Sequence, residues 1–340
     1  MTVFAPWQQR IYQQAGAALD AGRLGHGLLL CGPPRLGQRA VAERLAARML
    51  CTSRTADGEP CGGCRSCRLF AVRSQTDPVE LRPDGSLAHP WGHTGHPDFS
   101  QISYGINARS KPLKSRAEIV IEQVRKLSEQ MALTPQYGEA KVAIIDPADA
   151  LNHAAANALL KTLEEPVPGR YLWLVSAYPS RLPATIRSRC QRLEFRLPPH
   201  AEALAWLQAQ GHGGKPAAEA LEAARGHPGL ADAWLRDGSL DLRREVSRDL
   251  EAVGRGNASA AATAQAWTAD DHATLRLRFA ADLALEQVST AASTGLTDAR
   301  RTRRLAAWFD AANRTAALLR TTVRADLAVA ELLLDWQEGS

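Results

Sequence analysis

Short apolar runs alternate with helix-like segments along the first 200 residues of this 340-residue chain. Such runs are typical of buried parallel strands, because both faces of the strand are covered by other elements. The segments between the runs, such as 38–50, are rich in Ala, Leu and Arg. Strands that alternate with helices predict a doubly wound α/β domain with a parallel sheet. The runs lie at 27–31, 99–103, 141–146, 171–177 and 192–195.

Local signals predict where some helices begin and end. Asn152 is placed to cap a helix that runs to Glu165, and Pro166 ends it. After Pro198 and Pro199 alanine becomes dominant and no strand pattern remains. Apolar residues at helical spacing predict that the last helix runs from about Leu305 to Val323. The C-terminal third is therefore expected to be all-helical, with its apolar faces packed either internally or against other chains.

A glycine-rich loop follows the first apolar run. Gly32 and Gly37 have the spacing of a phosphate-binding P-loop between a strand and a helix. A working loop continues with Lys, which holds phosphates, and with Ser or Thr, which binds Mg²⁺. This chain has Gln38 and Arg39 at those positions. Gln has no charge and Arg cannot bind a cation, so the loop lacks both groups.

The second half of the nucleotide site is also incomplete. Asp146 ends an apolar strand, as in a Walker B motif, but Pro147 stands where an AAA+ ATPase has a catalytic Glu. Ser176 lies near the end of the next run, where AAA+ proteins place a polar sensor. Three missing groups predict that ATP is not hydrolysed here. Weak nucleotide binding stays open, because a helix N-terminus still offers N–H groups to an anion.

Four of the six cysteines lie within 17 residues, at Cys51, Cys61, Cys64 and Cys67. Four thiolates are the closed tetrahedral set that structural Zn²⁺ prefers. An iron–sulfur cluster is the alternative, because three of these cysteines have a ferredoxin-like spacing. The Cys-Pro that usually follows is absent, which favours zinc. Free thiols are disfavoured, because three of the four sit among polar residues, whereas unpaired cysteine is usually buried.

The segment 73–96 interrupts the alternation of strands and helices. It contains several Pro and Gly together with His89, Trp91, His93 and His96. We interpret it as an inserted loop whose histidines are solvated surface residues rather than metal ligands.

Several strings resemble the bacterial DNA polymerase III clamp-loader subunits of the AAA+ family. They are the segment 157–166 (NALLKTLEEP), the Ser-Arg-Cys of 188–190, Pro6-Trp7, His26 and the four-cysteine module. The resemblance covers about residues 1–200. It implies an α/β AAA+ P-loop-type domain with a parallel sheet at 1–192, carrying a zinc module at 51–67. A small helical lid at 193–238 and an all-α collar at 239–340 would follow.

The resemblance also implies roles for particular residues. Within the family, tau and gamma subunits keep an intact P-loop, whereas the delta-prime type keeps the fold but often loses the nucleotide chemistry. Gln38, Arg39 and Pro147 therefore indicate the delta-prime type. Arg189 in Ser-Arg-Cys would be an arginine finger for ATP bound by an adjacent tau or gamma subunit. The alternative for Arg189 is an ordinary surface ion pair.

The implied partners are tau or gamma and delta subunits in a heteropentameric ring, the sliding clamp through the complex, and primer–template DNA. The implied cofactors are structural Zn²⁺ and ATP bound by the partner subunits. Two other functions remain open: an active gamma- or tau-type AAA+ motor, and a zinc-dependent nucleic-acid-binding module that acts alone. A net charge of +5 permits contact with nucleic acid. No apolar stretch of 18 residues and no apolar signal core occur, so we expect a cytoplasmic protein without a membrane span.

Overall fold

The computed structural model describes residues 3–107, 110–111, 113–293, 299–319, 321 and 323–338, without the side chains of 290–293. The chain forms two compact units. The first contains Met1–Gly211 and Ala224–Leu230, and the second contains His212–Ala223 and Ala231–Ser340. Among the described residues, none of the helices combines the length and the apolar character needed to cross a bilayer.

The strands all lie in the first unit. They are β1 (Gly27–Cys31), β2 (Arg73–Ser74), β3 (His93–Thr94), β4 (Phe99–Ile102), β5 (Ile106–Asn107), β6 (Lys114–Ser115), β7 (Lys141–Ile145), β8 (Arg170–Ser176) and β9 (Gln191–Glu194). The helices before Gly211 are α1 (Pro6–Asp20), α2 (Gln38–Leu50), α3 (Arg65–Ala71), α4 (Ile121–Ala132), α5 (His153–Glu164), α6 (Ala184–Arg187) and α7 (His200–Ala209). Short 3₁₀ helices occur at Ala148–Ala150 and Pro179–Arg181.

Five parallel strands form the main sheet, in the order β4-β7-β8-β1-β9. In the register between β1 and β8, Cys31 is opposite Ser176. Between β7 and β8, Ile145 is opposite Leu174. Parallel strands bring their carboxyl ends to the same edge, so the segments after β1, β7 and β8 meet there.

The sheet separates two hydrophobic cores, because successive side chains of a strand point to opposite faces. On β1, Leu28 and Leu30 belong to one core, which includes residues of α1 and α2. Leu29 and Cys31 belong to the other, which includes residues of α4, α5 and α6. The strands β7 and β8 divide in the same way. Full burial of both faces explains why these strands are continuous apolar runs in the sequence.

The predicted fold class is confirmed: an α/β domain with a parallel sheet is followed by a region that is helical wherever the structure describes it. The predicted strands are found within one or two residues of their expected bounds. Helix α5 begins as predicted, because the Asn152 side chain accepts a hydrogen bond from the Ala155 N–H at 2.9 Å. Helix α4 packs through one apolar face, on which Val124, Leu127 and Met131 are buried. The boundaries of the lid and the collar stay predictions.

The second unit is built from helices in the part of the chain that the structure describes. Tryptophan side chains tie these helices together: Trp308 Nε1 donates to the carbonyl of Leu332, and Trp336 Nε1 to that of Leu250, each at 2.9 Å. The remaining helices of the chain are α8 (Gly214–Ala223), α9 (Pro228–Asp237), α10 (Ser239–Gly254), α11 (Ala260–Trp267), α12 (Ala273–Ser293), α13 (Ala299–Leu318) and α14 (Ala325–Glu338).

The helix predicted from Leu305 is found, but its predicted end at Val323 and its place as the last helix are wrong. Helix α13 ends at Leu318 and a further helix, α14, follows. The Thr321 hydroxyl donates to the carbonyl of Leu318 at 2.7 Å, which competes with continued helix formation. Val323 is 46% exposed, so its helical spacing does not reflect burial.

Candidate functional site

Side chains of α1 hold the glycine loop in shape. Trp7 Nε1 and Gln8 Nε2 each donate a hydrogen bond to the carbonyl of Leu36 at 3.0 Å. Gly37 has φ of +91°, and a Cβ there would collide with the Gln8 amide. Only glycine tolerates that backbone conformation and that approach. The start of the chain therefore fixes the loop that precedes α2.

The other loop glycine, Gly32, is required by a close backbone contact. A Cβ at this position would lie 2.1 Å from the carbonyl oxygen of Phe195. Its φ of +146° is also one that residues with a side chain rarely adopt. Both glycines of the P-loop spacing are thus required by the backbone, although the two chemically active positions that follow are changed.

Gln38 turns back onto the loop itself. Its Nε2 donates to the carbonyl of Gly32 at 3.1 Å and to that of Pro33 at 2.6 Å. The residue is only 6% exposed. The amide that replaces the phosphate-binding ammonium is therefore bound to loop carbonyls.

Arg39 bonds directly to the Walker B-like carboxylate. Its Nη1 lies 3.2 Å from Asp146 Oδ2, and both side chains are 7% exposed. Its Nε also donates to Glu43 Oε1, one helical turn away on α2, at 3.2 Å. Arg39 stands at the loop position where a working P-loop has the hydroxyl that binds Mg²⁺. Here a protein cation contacts the Asp146 carboxylate.

Charges of alternating sign extend from this pair. Arg73 Nη2 lies 3.1 Å from Glu43 Oε2, and Arg82 Nη2 lies 3.4 Å from Asp146 Oδ2. The result is a chain of five ionic side chains, three positive and two negative, centred on Arg39. Each buried carboxylate has two guanidinium partners, which offsets part of the cost of removing it from water.

The segment 73–96 packs over Arg39. The Ala88 carbonyl accepts from Arg39 Nη1 at 3.0 Å, and the ring of Trp91 lies 5.2 Å from the Arg39 Cζ. His89 is 2% exposed, so the interpretation of His89 as a solvated loop residue is wrong. Its burial comes from contacts distant in the sequence, which composition does not reveal. Burial also lowers the pKa of His89, although the nearby Glu80 carboxylate opposes this.

His96 is the second histidine that sequence interpretation wrongly placed at the surface, since it is also 2% exposed. Its Nδ1 accepts from the Asp98 N–H at 3.0 Å, and its Nε2 lies 2.8 Å from Ser66 Oγ. Ser66 Oγ in turn donates to the carbonyl of Leu50 at 2.6 Å. Burial lowers the pKa of His96, so the neutral ring is favoured.

Ser176, at the end of β8, is also engaged within the chain. Its Oγ donates to Asp149 Oδ1 at 2.6 Å and accepts from the Tyr178 N–H at 3.2 Å. The residue is 1% exposed. A polar side chain does lie at the predicted sensor position, and it stabilises the turn after β8.

The four cysteines of the 51–67 module converge. Their sulfur atoms lie within 4.8 Å of one another, and Cys51 Sγ is 3.9 Å from Cys64 Sγ. A tetrahedral Zn²⁺ with bonds of about 2.3 Å requires sulfur atoms about 3.8 Å apart. Backbone N–H groups of Cys61, Cys64 and Cys67 each donate to the sulfur of a preceding cysteine at 3.3–3.4 Å. The donor set and spacing therefore fit a closed structural metal site.

Hydrogen bonding also favours the thiolate form of Cys61 and Cys64. For Cys64, desolvation raises the pKa, but hydrogen bonds from Cys67 and Thr52 outweigh it and lower the pKa to about 6. Hydrogen bonds from the Cys64 and Gly63 backbone lower the pKa of Cys61. Burial, followed by the hydrogen bond with Cys64, raises the pKa of Cys67. A bound cation would favour deprotonation of all four thiols, because metals bind the thiolate.

Arg189 lies near the surface just after α6. Its Nη2 is 2.7 Å from Glu164 Oε1, and its Nη1 donates to the carbonyl of Thr185 at 2.8 Å. The two ion-paired side chains are 36% and 47% exposed. Glu164 belongs to the NALLKTLEEP string, so two of the motifs that carry the family resemblance meet in this pair.

The predicted site residues fall into three groups. Six of them lie in the degenerate nucleotide site, around the carboxyl edge of the sheet. The four cysteines form the metal module, and Arg189 pairs with Glu164. The sequence interpretation missed Glu43, Arg82 and Trp91, which complete the surroundings of Arg39. Only the spacing of Arg39 and Glu43, four residues apart on a helix, gave a signal. The six residues are Gly32, Gly37, Gln38, Arg39, Asp146 and Ser176.

Comparison with known proteins gives consistent matches. A family model described as "DNA polymerase III, delta subunit" matches residues 7–199. The DNA polymerase III subunit delta′ of Pseudomonas aeruginosa is 34% identical over 266 residues, which cover 77% of this chain and 70% of that protein. The delta′ subunit of Escherichia coli is 30% identical over 246 residues, 72% of this chain and 65% of that protein. The tau subunit of Bacillus subtilis is 29% identical over only 56% of this chain and 28% of its own length.

Proposed function

The chain belongs to the DNA polymerase III delta′ subunit family, and from that membership we propose that it is a clamp-loader subunit that does not hydrolyse ATP. The observation that best supports the absence of ATP hydrolysis is the contact of 3.2 Å between Arg39 Nη1 and Asp146 Oδ2. A hydrolytic site needs Mg²⁺ between a loop hydroxyl and this type of carboxylate. In this chain an arginine cation already neutralises the carboxylate.

Two more features support the loss of hydrolysis. Gln38 offers no positive charge to the β and γ phosphates, and its amide donates to loop carbonyls instead. Pro147 follows Asp146 and carries no group that could orient or deprotonate a water molecule. The phosphate-binding cation, the Mg²⁺-binding hydroxyl and the catalytic acid are therefore all replaced, by Gln38, Arg39 and Pro147. Restoring any one of these groups would leave the other two missing.

The chain would contribute Arg189 to the ATP site of a neighbouring tau or gamma subunit. A guanidinium supplied in trans stabilises the charge that develops on the transferred phosphoryl group. Glu164 would hold the side chain at 2.7 Å until the neighbour's triphosphate attracts it. The exchange is physically reasonable, because an exposed ion pair of this kind is worth only about 0–1 kcal/mol.

The remaining roles follow from the same membership. The cysteine module would bind one structural Zn²⁺, which would fix the 51–67 segment against α2 and α3. The partners would be tau or gamma and delta subunits in a ring of five, together with the sliding clamp and primer–template DNA. The site of action would be the cytoplasm.

The test is a reconstitution of the loader with wild-type chain or with the Arg189→Ala variant. We expect the isolated chain to show no Mg-dependent ATP turnover. We expect Arg189→Ala to assemble normally and to lower DNA-stimulated turnover at the neighbouring ATP site by about 10³-fold or more, the range known for fingers supplied in trans, so the rate of the complex should fall by at least the share of that site. Size-exclusion chromatography would establish assembly before the rates are compared.

A matched control is Arg192→Ala, which removes an exposed arginine three positions further on, in β9. It should leave turnover unchanged. Equal rates for the wild-type and Arg189→Ala complexes would remove the finger from the proposal. Sustained hydrolysis by the isolated chain would instead favour the gamma-type motor. Tight, salt-sensitive DNA binding by the isolated chain would favour the independent nucleic-acid module.

A further inference from the structure

Three side chains of the 73–96 segment converge on a point outside the cysteine module. Glu80 Oε2 lies 3.2 Å from His89 Nε2 and 3.0 Å from His93 Nε2. The ligand atoms of all three residues lie within 4.8 Å of one another. We propose that Glu80, His89 and His93 form a second metal site in this chain. The site would bind a divalent transition metal, and Zn²⁺ is the ion we expect.

The distances fit such an ion. Zn²⁺ binds imidazole nitrogen and carboxylate oxygen at about 2.0–2.2 Å. Tetrahedral geometry then places neighbouring ligand atoms about 3.3–3.5 Å apart, close to the separations observed here. Two imidazoles and one carboxylate leave a fourth position for water, and this side of the site is accessible because His93 is only partly buried.

The hydrogen bonding of His89 supplies an independent argument. Its Nδ1 faces the Gln101 amide, and the amide is satisfied when its oxygen points toward His89 and Arg39. In that orientation the oxygen accepts from His89 Nδ1 at 2.9 Å and also accepts from the Arg39 guanidinium. The proton of a neutral His89 is then on Nδ1, so Nε2 presents a lone pair to the Glu80 carboxylate. Two facing acceptors repel each other, and a cation between them would satisfy both.

This arrangement has the form of a supported metal ligand. Metal-binding histidines usually donate their other ring N–H to an oxygen acceptor, which fixes the tautomer and the direction of the ring. Gln101 serves as that acceptor for His89. The identity of the ion follows from the ligands: imidazole with carboxylate suits Zn²⁺ and related first-row metals, whereas Mg²⁺ and Ca²⁺ prefer oxygen alone.

A metal here would fasten the segment that packs over Arg39. Glu80 lies on one side of the turn at 82–87, and the two histidines lie on the other. Between the two histidines stands Trp91, which stacks on Arg39. Binding one ion would therefore crosslink the segment at its base and keep it against the degenerate nucleotide loop.

The experiment is a metal titration of the full chain. Zn²⁺ is first added to the metal-stripped protein to one equivalent, which fills the four-thiolate site, and Co²⁺ is then titrated. We expect a second equivalent to bind with visible ligand-field bands of low-symmetry nitrogen and oxygen coordination and without sulfur-to-cobalt charge transfer. Total metal measured by mass spectrometry after equilibration with Zn²⁺ should be two per chain.

Three variants locate the second equivalent. His93→Gln and Glu80→Gln each remove a ligand at a partly exposed position, and each should abolish the second equivalent while the first remains. Gln101→Leu removes the acceptor that His89 shares with Arg39 but no metal ligand, and it should weaken the second site by about 10–100-fold. His212→Gln is the matched control, because His212 Nε2 also faces a carboxylate, Asp232 Oδ1 at 2.8 Å, but has no third ligand in the described part of the chain.

The result that overturns the proposal is one metal per chain in the wild type, or a second equivalent that survives both His93→Gln and Glu80→Gln. Charge-transfer bands accompanying the second equivalent would also overturn it, because they would place Co²⁺ on thiolates. Circular dichroism of each variant with one Zn²⁺ bound separates lost binding from lost folding. A variant that is unfolded is replaced by Glu80→Ala, for which the same loss is expected.

Discussion

Arg39 Nη1 and Asp146 Oδ2 lie 3.2 Å apart although 107 positions separate the two residues in the chain. Both side chains are 7% exposed. A buried ion pair of this kind contributes little net stability when intact, but removing one partner leaves a charge without compensation in a poorly solvated place. The pair that fills the nucleotide site should therefore also be a sensitive point for the stability of the first unit.

Replacing Arg39 by methionine should destabilise the first unit by about 3 kcal/mol, near the lower end of the range for a broken buried pair. The lower end is expected because Arg82 still lies 3.4 Å from Asp146. The double variant Arg39→Met with Asp146→Asn should recover much of the loss. Urea unfolding followed by circular dichroism measures both. Arg10→Met is the control: its pair with Glu202 is exposed, and its loss should cost less than about 1 kcal/mol.

Removing one thiolate of the cysteine module should remove one bound metal. Cys64→Ser leaves three sulfur ligands, so we expect one equivalent less metal and a lower melting temperature for the first unit. Cys190→Ala removes a buried thiol outside the module and should keep the metal. Metal content and thermal unfolding with and without a chelator give the comparison. Iron in the purified protein, or unchanged zinc in Cys64→Ser, would contradict the structural-zinc proposal.

The buried His96 predicts a loss of stability in mild acid. Burial lowers its pKa in the folded state, with Asp98 opposing and Lys141 reinforcing the effect. The unfolded chain therefore binds more protons below the ordinary histidine pKa of about 6.5. Stability should fall as the pH drops through about 6.5 and level off below the folded-state pKa. Protonation would also remove the acceptor for the Asp98 N–H.

The measurement is urea unfolding between pH 7.5 and 5 at saturating Zn²⁺, for wild type and for His96→Asn. Asparagine keeps an acceptor near the Asp98 N–H but does not titrate. The wild type should lose more stability than the variant over this interval. Parallel curves would show that His96 contributes nothing to the pH dependence, and the buried His89 and acid release of zinc would then be the causes to separate.

Glu164→Gln removes the ion pair of Arg189 but leaves the arginine available for its proposed action in trans. The pair is 36% and 47% exposed, so the substitution should change the stability of the isolated chain by less than about 1 kcal/mol. In the reconstituted complex it should maintain or increase the ATPase rate, because the guanidinium is released. A fall in rate as large as that of Arg189→Ala would mean that the pair itself is needed and that the finger mechanism is wrong.

Features that depend on local pattern could be predicted from the sequence. β1 and β7 are completely buried strands, and apart from Lys141 at the start of β7 each is a run of apolar residues, which is typical of a central parallel strand. The cap at Asn152 needs only a side-chain oxygen and an N–H three residues away. The four cysteines were recognisable because the spacing of ligands along the chain limits where they can meet.

Features that depend on distant contacts could not be predicted in this way. The sequence shows that Arg39 replaces a metal-binding hydroxyl, but not that its guanidinium reaches Asp146 and the carbonyl of Ala88. The burial of His89 and His96 likewise arises where an inserted segment folds back against the domain. The spacing of apolar residues does not predict the structure of such segments, because it follows neither the helical nor the strand period.

Because Trp91 stacks on Arg39, the fluorescence of this tryptophan can report on the position of the 73–96 segment. The indole is 48% exposed and its ring lies 5.2 Å from the guanidinium carbon, so its emission should respond to any lifting of the segment into water. Trp173, which is fully buried in the sheet, would change only when the whole domain unfolds. The chain has eight tryptophans, so comparison of the wild type with Trp91→Phe isolates the Trp91 signal, and opening of the covering segment can then be followed apart from global unfolding without a dye.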